Sequence, residues 1–174
     1  MEKACVHIYC GNGKGKTTAS IGLLTRASGA DKKCLLAQFL KETPTSEIRS
    51  LEKLGVKTMR AQCDIKKFIF KMTEEEKAEY GKAQQALFRQ VADAVASGEY
   101  DLIAMDEVLD AVSVGFVAEE DLTALIREKG NAELVLTGRA PGEAIAALAD
   151  YHSCIDPVKH PYKEGLPARR GIEF

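Results

Sequence analysis

Between an apolar run from Ala4 to Tyr9 and an amphipathic stretch from Lys16 to Ala27 lies Gly11-Asn12-Gly13-Lys14-Gly15-Lys16-Thr17-Thr18. Glycines let the backbone turn tightly enough for successive N–H groups to converge on phosphate oxygens. A helix that starts at the same spot adds roughly half a positive charge. In such a loop Lys16 holds terminal phosphates and the Thr17 hydroxyl ligates Mg²⁺. Against the pattern Gly-x-x-x-x-Gly-Lys-Ser/Thr, the last three positions match at Gly15, Lys16 and Thr17, and Cys10 stands at the first glycine. The strand–loop–helix context makes up for that departure, and the segment reads as a nucleotide-binding loop.

Leu102-Ile-Ala-Met-Asp106-Glu107 ends a buried run on two carboxylates. Such a pair can reach a metal beside a phosphate loop, or cap a following helix, and with two carboxylates both uses are open. Thr137-Gly-Arg139 follows another apolar run, where Arg139 can pair with phosphate or stand on the surface. Arg26, farther along the helix, is placed between ligand contact and surface salt bridging. Gln38-Phe-Leu-Lys41 follows a third run; Gln38 and Lys41 suit either a ligand rim or a solvated loop.

The elements that must position these groups alternate. Strands are expected at Ala4 to Tyr9, Cys34 to Phe39, Val56 to Ala61, Leu102 to Met105, Glu133 to Thr137 and Ser153 to Val158. Helices are expected at Lys16 to Ala27, Ser46 to Leu54, Thr73 to Ser97, Glu119 to Glu128 and Pro141 to Ala149. Thr73-x-x-Glu76 is a capping box and Gly98 a stop. Short uninterrupted apolar strands separated by helices predict an α/β, P-loop NTPase-like fold: a mainly parallel sheet with helices on both faces, as one domain over residues 1–174. Ligands of such sheets lie beyond the carboxyl ends of the strands.

Of 174 residues, 24 are Lys or Arg and 26 Asp or Glu, a formal charge of -2, which argues against a dedicated nucleic-acid binder. Cys5, Cys10, Cys34, Cys63 and Cys154 have no metal-cluster spacing. Their odd number, without a secretory leader, points to a reducing cytoplasm. No run approaches the roughly 20 apolar residues of a membrane helix.

The phosphate loop, Arg26-Ala-x-Gly29, Gln38-Phe-x-Lys41, Asp106-Glu107, Thr137-Gly-Arg139, Val158-Lys-His160 and Gly171-Ile-Glu-Phe174 occur in this order. Together they resemble the ATP:corrinoid adenosyltransferases of the phosphate-loop type, across essentially the whole chain. The resemblance implies transfer of the 5′-deoxyadenosyl group of ATP to Co(I) of a corrinoid, with release of triphosphate, in adenosylcobalamin synthesis or salvage. It implies Mg²⁺ as cofactor, a reductase such as a flavoprotein, and a homodimer. It implies ATP contacts from Gly11 through Thr18, Arg26 and Arg139, with ATP reversed in the loop. Lys16 and Thr17 become catalytic, and Thr17, Glu107 and Asp106 metal-binding. Gln38, Lys41, Phe68 and Phe70 become corrinoid-binding, Phe68 matching the family's Phe and Phe70 replacing its Trp. Packing is the alternative for both aromatics. Longer members carry a helical extension before the first strand. Here that strand starts within a few residues of Met1, so the loop around Asp64 to Met72 is expected to do more of the covering.

Two other readings stay open at this level. One is a generic phosphate-loop ATPase or small-molecule kinase. The other is a non-catalytic ATP sensor that docks a partner through Ala168-Arg-Arg170.

Overall fold

The computed structural model describes residues 3–41 and 45–173, with the side chains of Tyr162 and Lys163 left out. Phe174, which ends the tail motif, lies outside the described residues. The strands are β1 (Val6–Cys10), β2 (Cys34–Gln38), β3 (Lys57–Arg60), β4 (Leu102–Asp106), β5 (Glu133–Thr137) and β6 (Tyr151–Cys154). They form one six-stranded sheet in the order β3-β2-β4-β5-β1-β6, and every neighbouring pair is parallel. β2 and β4 are buried at every position, as apolar runs covered on both faces must be.

The helices are α1 (Lys16–Ser28), α2 (Ser46–Lys53), α3 (Glu74–Ser97), α4 (Val108–Ser113), α5 (Glu119–Arg127) and α6 (Glu143–Ala146). Alternate strand residues face opposite layers. Leu36, Leu102, Ala104 and Val135 pack with Leu24 of α1 and Leu51 of α2. Ile8, Leu35, Ile103, Met105 and Leu134 pack with Leu87 and Val91 of α3, Leu109 of α4, Leu122 of α5 and Ile145 of α6. The α/β fold with helices on both faces is therefore as expected, and P-loop NTPase-like.

α3 begins with the capping box: Glu76 N–H donates to Thr73 Oγ1 at 3.2 Å and Thr73 N–H to Glu76 Oε2 at 3.0 Å. It ends at Gly98, whose φ of 64° needs no Cβ. Three boundaries differ from the sequence reading. The last strand lies at Tyr151–Cys154 rather than Ser153 to Val158, because it pairs with β1 in the register His7↔Tyr151 to Cys10↔Cys154. The helix expected from Pro141 is the shorter Glu143–Ala146, with Gly142 before it. The short helix α4, given no bounds from sequence, follows Glu107 at its N-cap, the helix-start use that the sequence leaves open for the two carboxylates.

Candidate active site

The carboxyl ends of β1, β2, β4 and β5 open into one cleft of about 940 Å³. Asn12 through Thr18 line it, together with Lys41, Glu107, Asp110, Thr137 and Arg139 and with Phe68, Ile69 and Phe70.

The loop after β1 is held from behind. Gly11 N–H donates to the Arg139 carbonyl at 2.8 Å and Gly13 N–H to the Ile155 carbonyl at 2.7 Å. A Cβ on Gly13 would stand 2.6 Å from that same Ile155 oxygen, so only glycine lies this close. Gly15 is the opposite case: at φ 125° its missing Cβ would meet nothing within 4 Å, leaving its cleft side open. α1 starts at Lys16 with no acidic residue in its own first turn, so no side chain of the helix itself opposes its positive end. Lys16 Nζ donates to the Gly13 carbonyl at 2.9 Å, folded against its own loop.

Asp106 is fully buried at the end of β4. Its Oδ1 accepts from Thr17 Oγ1 at 2.9 Å and from Thr137 Oγ1 at 2.7 Å. Thr137 in turn accepts the N–H of Glu107 at 2.9 Å, so one hydroxyl ties the ends of β4 and β5 together. Glu107 takes a left-handed backbone, φ 61°. Lys41 Nζ lies 2.9 Å from Glu107 Oε1 and 3.6 Å from Asp106 Oδ2. Leu40, also left-handed at φ 54°, makes the turn that brings Lys41 there from β2. Burial works against the Lys41 charge, but Asp106 and Glu107 outweigh it and hold the ammonium above its ordinary pKa. Burial pushes the Glu107 carboxyl up, with Lys41 pulling the other way.

Gly138 has φ 157°, and a Cβ there would lie 2.5 Å from Leu109 Cβ. That close approach lets Asp110 of α4 grip Arg139, taking its Nε at 2.7 Å and its backbone N–H at 3.1 Å. Asp110 was missed from sequence because it sits on a helix too short to show a period. Its position in the first turn after the Asp106-Glu107 pair was the available signal.

Phe68 and Phe70 do not pack into the core. Ile69 starts a single 3-10 turn, Ile69–Lys71, and it takes the inward position beside Met72, Tyr80 and Phe116. Phe68 and Phe70 are left 61% and 79% exposed, stacked on each other at 5.5 Å with 9° between rings. Lys67, paired with Glu76 at 2.5 Å, fastens the segment to α3.

Four expected site residues do not line the cleft: Gly11 and Asp106 are buried behind its wall, and Gln38 and Arg26 are placed elsewhere. Gln38 is 1% exposed beneath it, its oxygen accepting from Arg60 Nε at 2.9 Å and its amide donating to Glu47 at 3.0 Å. Arg26 is exposed in the last turn of α1, ten residues and so about 15 Å along the helix from Lys16. The tail does come to the cleft: Ile172 and Glu173 line it, and Glu173 pairs with Lys14 at 3.4 Å.

The arrangement joins an anion-binding loop, an oxygen-donor pair and an exposed aromatic platform. A family model described as "ATP:corrinoid adenosyltransferase BtuR/CobO/CobP" matches residues 2–174. The chain belongs to this family. A corrinoid adenosyltransferase of Escherichia coli strain K12 is 30% identical over 99% of this chain and 87% of its own length. The corrinoid adenosyltransferase CobA of Salmonella typhimurium is 33% identical over the same shares. A corrinoid adenosyltransferase of Pseudomonas aeruginosa is 25% identical over 99% of this chain and 85% of its own. The expectation of an adenosyltransferase drawn from the motifs therefore holds, and the kinase and sensor readings do not.

Proposed function

We propose that this chain binds ATP in the loop of residues 11–18 and hands its 5′-deoxyadenosyl group to the Co(I) of a corrinoid, the whole chain acting as one domain. The observation that carries this assignment of the site is one cleft lined both by the phosphate loop and by the exposed Phe68–Phe70 pair. Co(I), a nucleophile, attacks C5′ of the ribose, the C5′–O bond breaks, and triphosphate leaves with the electron pair. The loop thus grips a leaving group rather than a transferred phosphoryl group. Lys16, turning from the Gly13 carbonyl to the phosphates, and the loop amides stabilise the charge that builds there. Arg139, aimed by Asp110, meets the same anion.

The donor set fits Mg²⁺. All its groups are oxygens: the Thr17 hydroxyl and the carboxylates of Asp106 and Glu107. Among the described residues no cluster of three or more His, Cys, Asp or Glu is arranged to hold a metal alone. Mg²⁺ instead shares its shell among one or two carboxylates, water and substrate phosphates. Bound there, it supplies further charge neutralisation to departing triphosphate. Lys41 then releases the acidic pair and turns toward the corrinoid.

Phe68 and Phe70 cover the lower face of the corrinoid and exclude a fifth cobalt ligand, which eases reduction. A homodimer closes the cleft and a flavoprotein supplies the electron. The five free cysteines suit a reducing cytoplasm. Gln38 acts beneath the site, as the brace that holds Arg60 and Glu47. Arg26 reaches ATP only if a second copy presents it.

The test is incubation with ATP, Mg²⁺ and chemically reduced cobalamin. Formation of the light-sensitive cobalt–carbon bond of adenosylcobalamin is expected. Its absence, with the folded protein present and Co(I) confirmed by its spectrum, overturns the reading.

A further inference from the structure

Cys10 and Cys154 are register partners on the adjacent parallel strands β1 and β6, so their side chains leave the sheet on the same face. His152, two residues before Cys154, shares that face, and its Nε2 lies 3.3 Å from Cys10 Sγ. Cys10 is 5% exposed and Cys154 lies open on the sheet edge. Both flank the phosphate loop. Cys10 is bonded to Gly11, and Cys154 to Ile155, whose carbonyl accepts from Gly13 N–H.

We propose that Cys10 and Cys154 are an oxidation site that converts the phosphate loop between a binding and a non-binding form, with peroxide as the oxidant. His152 takes the Cys10 proton, and the thiolate attacks hydrogen peroxide. The O–O bond breaks, and Cys10 becomes a sulfenic acid while hydroxide leaves and is protonated to water. The Cys154 sulfur then attacks Cys10 Sγ. The S–O bond breaks, a second water leaves, and the disulfide forms. Two thiols are oxidised and one peroxide is reduced to two waters.

The placement of the partners supports this order. The thiol of Cys154 is held above its ordinary pKa first by its hydrogen bond with Cys10, so the two sulfur groups are within reach of each other. A disulfide draws Cβ atoms to about 3.8 Å, closer than the roughly 5 Å of neighbouring strands. Gly11 and Gly13 have no room to follow. A Cβ position at Gly11 already lies 2.4 Å from the Ile155 oxygen. The loop must therefore shift, and its amides lose their aim at phosphate. Among phosphate-loop patterns the first position is a glycine, so Cys10 there is this chain's own chemistry.

The test treats the whole protein with hydrogen peroxide, then blocks residual thiols and maps the peptides. A linkage between Cys10 and Cys154 is expected, with a mass loss of two hydrogens, reversed by dithiothreitol. ATP binding by titration calorimetry should fall at least several-fold on oxidation and recover on reduction. Cys154→Ser should bind ATP as the parent does and lose the response; His152→Asn should slow formation of the linkage. The absence of that linkage, or its presence with unchanged ATP affinity, overturns the proposal. The binding arm rests on the loop holding ATP. Failure of the reduced protein to bind ATP overturns both that functional reading and the switch, whereas failure of the linkage alone touches only the switch.

Discussion

Lys41 sits where a cation is wanted. Asp106 and Glu107 are adjacent in the chain, and the ammonium between them balances charge that burial would otherwise make costly. The two carboxylates nevertheless differ. Asp106 receives two hydroxyl hydrogen bonds in full burial, whereas Glu107 faces the cleft. Glu107→Gln is expected to cause the larger loss in Mg²⁺-dependent turnover, with little change in Tm. Asp106→Asn should weaken Mg²⁺ dependence less but destabilise by about 1–3 kcal/mol, because its amide oxygen can still serve the two hydroxyls only by turning an NH2 toward Lys41 Nζ and Gln38 Nε2, where Oδ2 stood. Mg²⁺ titrations of activity beside thermal melts separate the two. A silent Glu107→Gln in the titration would contradict this division.

Phe68 belongs to the same scale. An apolar side chain beneath cobalt acts on reduction rather than on attack at C5′. Phe68→Ala should slow turnover from Co(II) with a weak reductant far more than turnover from preformed Co(I). Phe70→Ala should follow the same pattern more weakly. The ratio of the two rates is the readout, and equal losses in both assays would mean a role in folding or simple binding.

At the level of elements, the close approach of α4 to the end of β5 decides where Arg139 points. Gly138→Ala forces both a strained φ and a 2.5 Å clash with Leu109 Cβ. A destabilisation of about 2 kcal/mol or more is expected, together with a raised KM for ATP as Asp110 loses its grip. A melt matching the parent would show that α4 can move aside freely. The tail is an element held by charge. Arg169, foremost, keeps the Glu173 carboxyl down at about 2, against an ordinary 4.5, with Lys14 helping. A lowered carboxylate pKa stabilises above the unfolded value, and that contribution is lost as pH falls from about 5 toward 2. Exposed pairs contribute little globally. Limited proteolysis of residues 165–173 should therefore accelerate as pH falls through this window, using a protease active there. Glu173→Gln should be cut readily at every pH; a tail equally protected in both would remove the tether.

Which elements were legible follows from how they are buried. β2 and β4 are buried throughout and apolar up to their last residues, Gln38 and Asp106, and α3 carries its own cap and stop, so pattern alone located them. β6 has no buried position: Tyr151, His152, Ser153 and Cys154 are all exposed, and pairing with β1 makes them a strand. The six residues of α4 are too few for a period, and Glu107 enters them through a left-handed turn that the sequence does not announce.

Across the whole molecule, the sheet order sets the site. β5 lies between β1 and β4, so Thr137 stands between the loop and the carboxylates, its hydroxyl donating to Asp106 and accepting from Glu107 N–H. The loop and the Asp106-Glu107 pair were legible because their chemistry is local. Phe68 and Phe70 were ambiguous because exposure is not written in residue type: Ile69, between them, took the packing that either reading allowed. Gln38 read as rim and is brace, since a polar residue at a strand end gives no sign of which way its neighbours turn.

The central claim is that the loop holds a leaving group. Analysis of the phosphate product in a reaction with ATP, Mg²⁺ and Co(I) cobalamin tests it most directly. Inorganic triphosphate in equal amount to adenosylcobalamin is expected from the parent protein. Neither product should form with Lys16→Ala, whose fold should be intact by circular dichroism because that side chain lines the cleft and bonds back to the Gly13 carbonyl of its own loop. ADP with orthophosphate as the main products, or near-normal turnover by Lys16→Ala, would contradict the account.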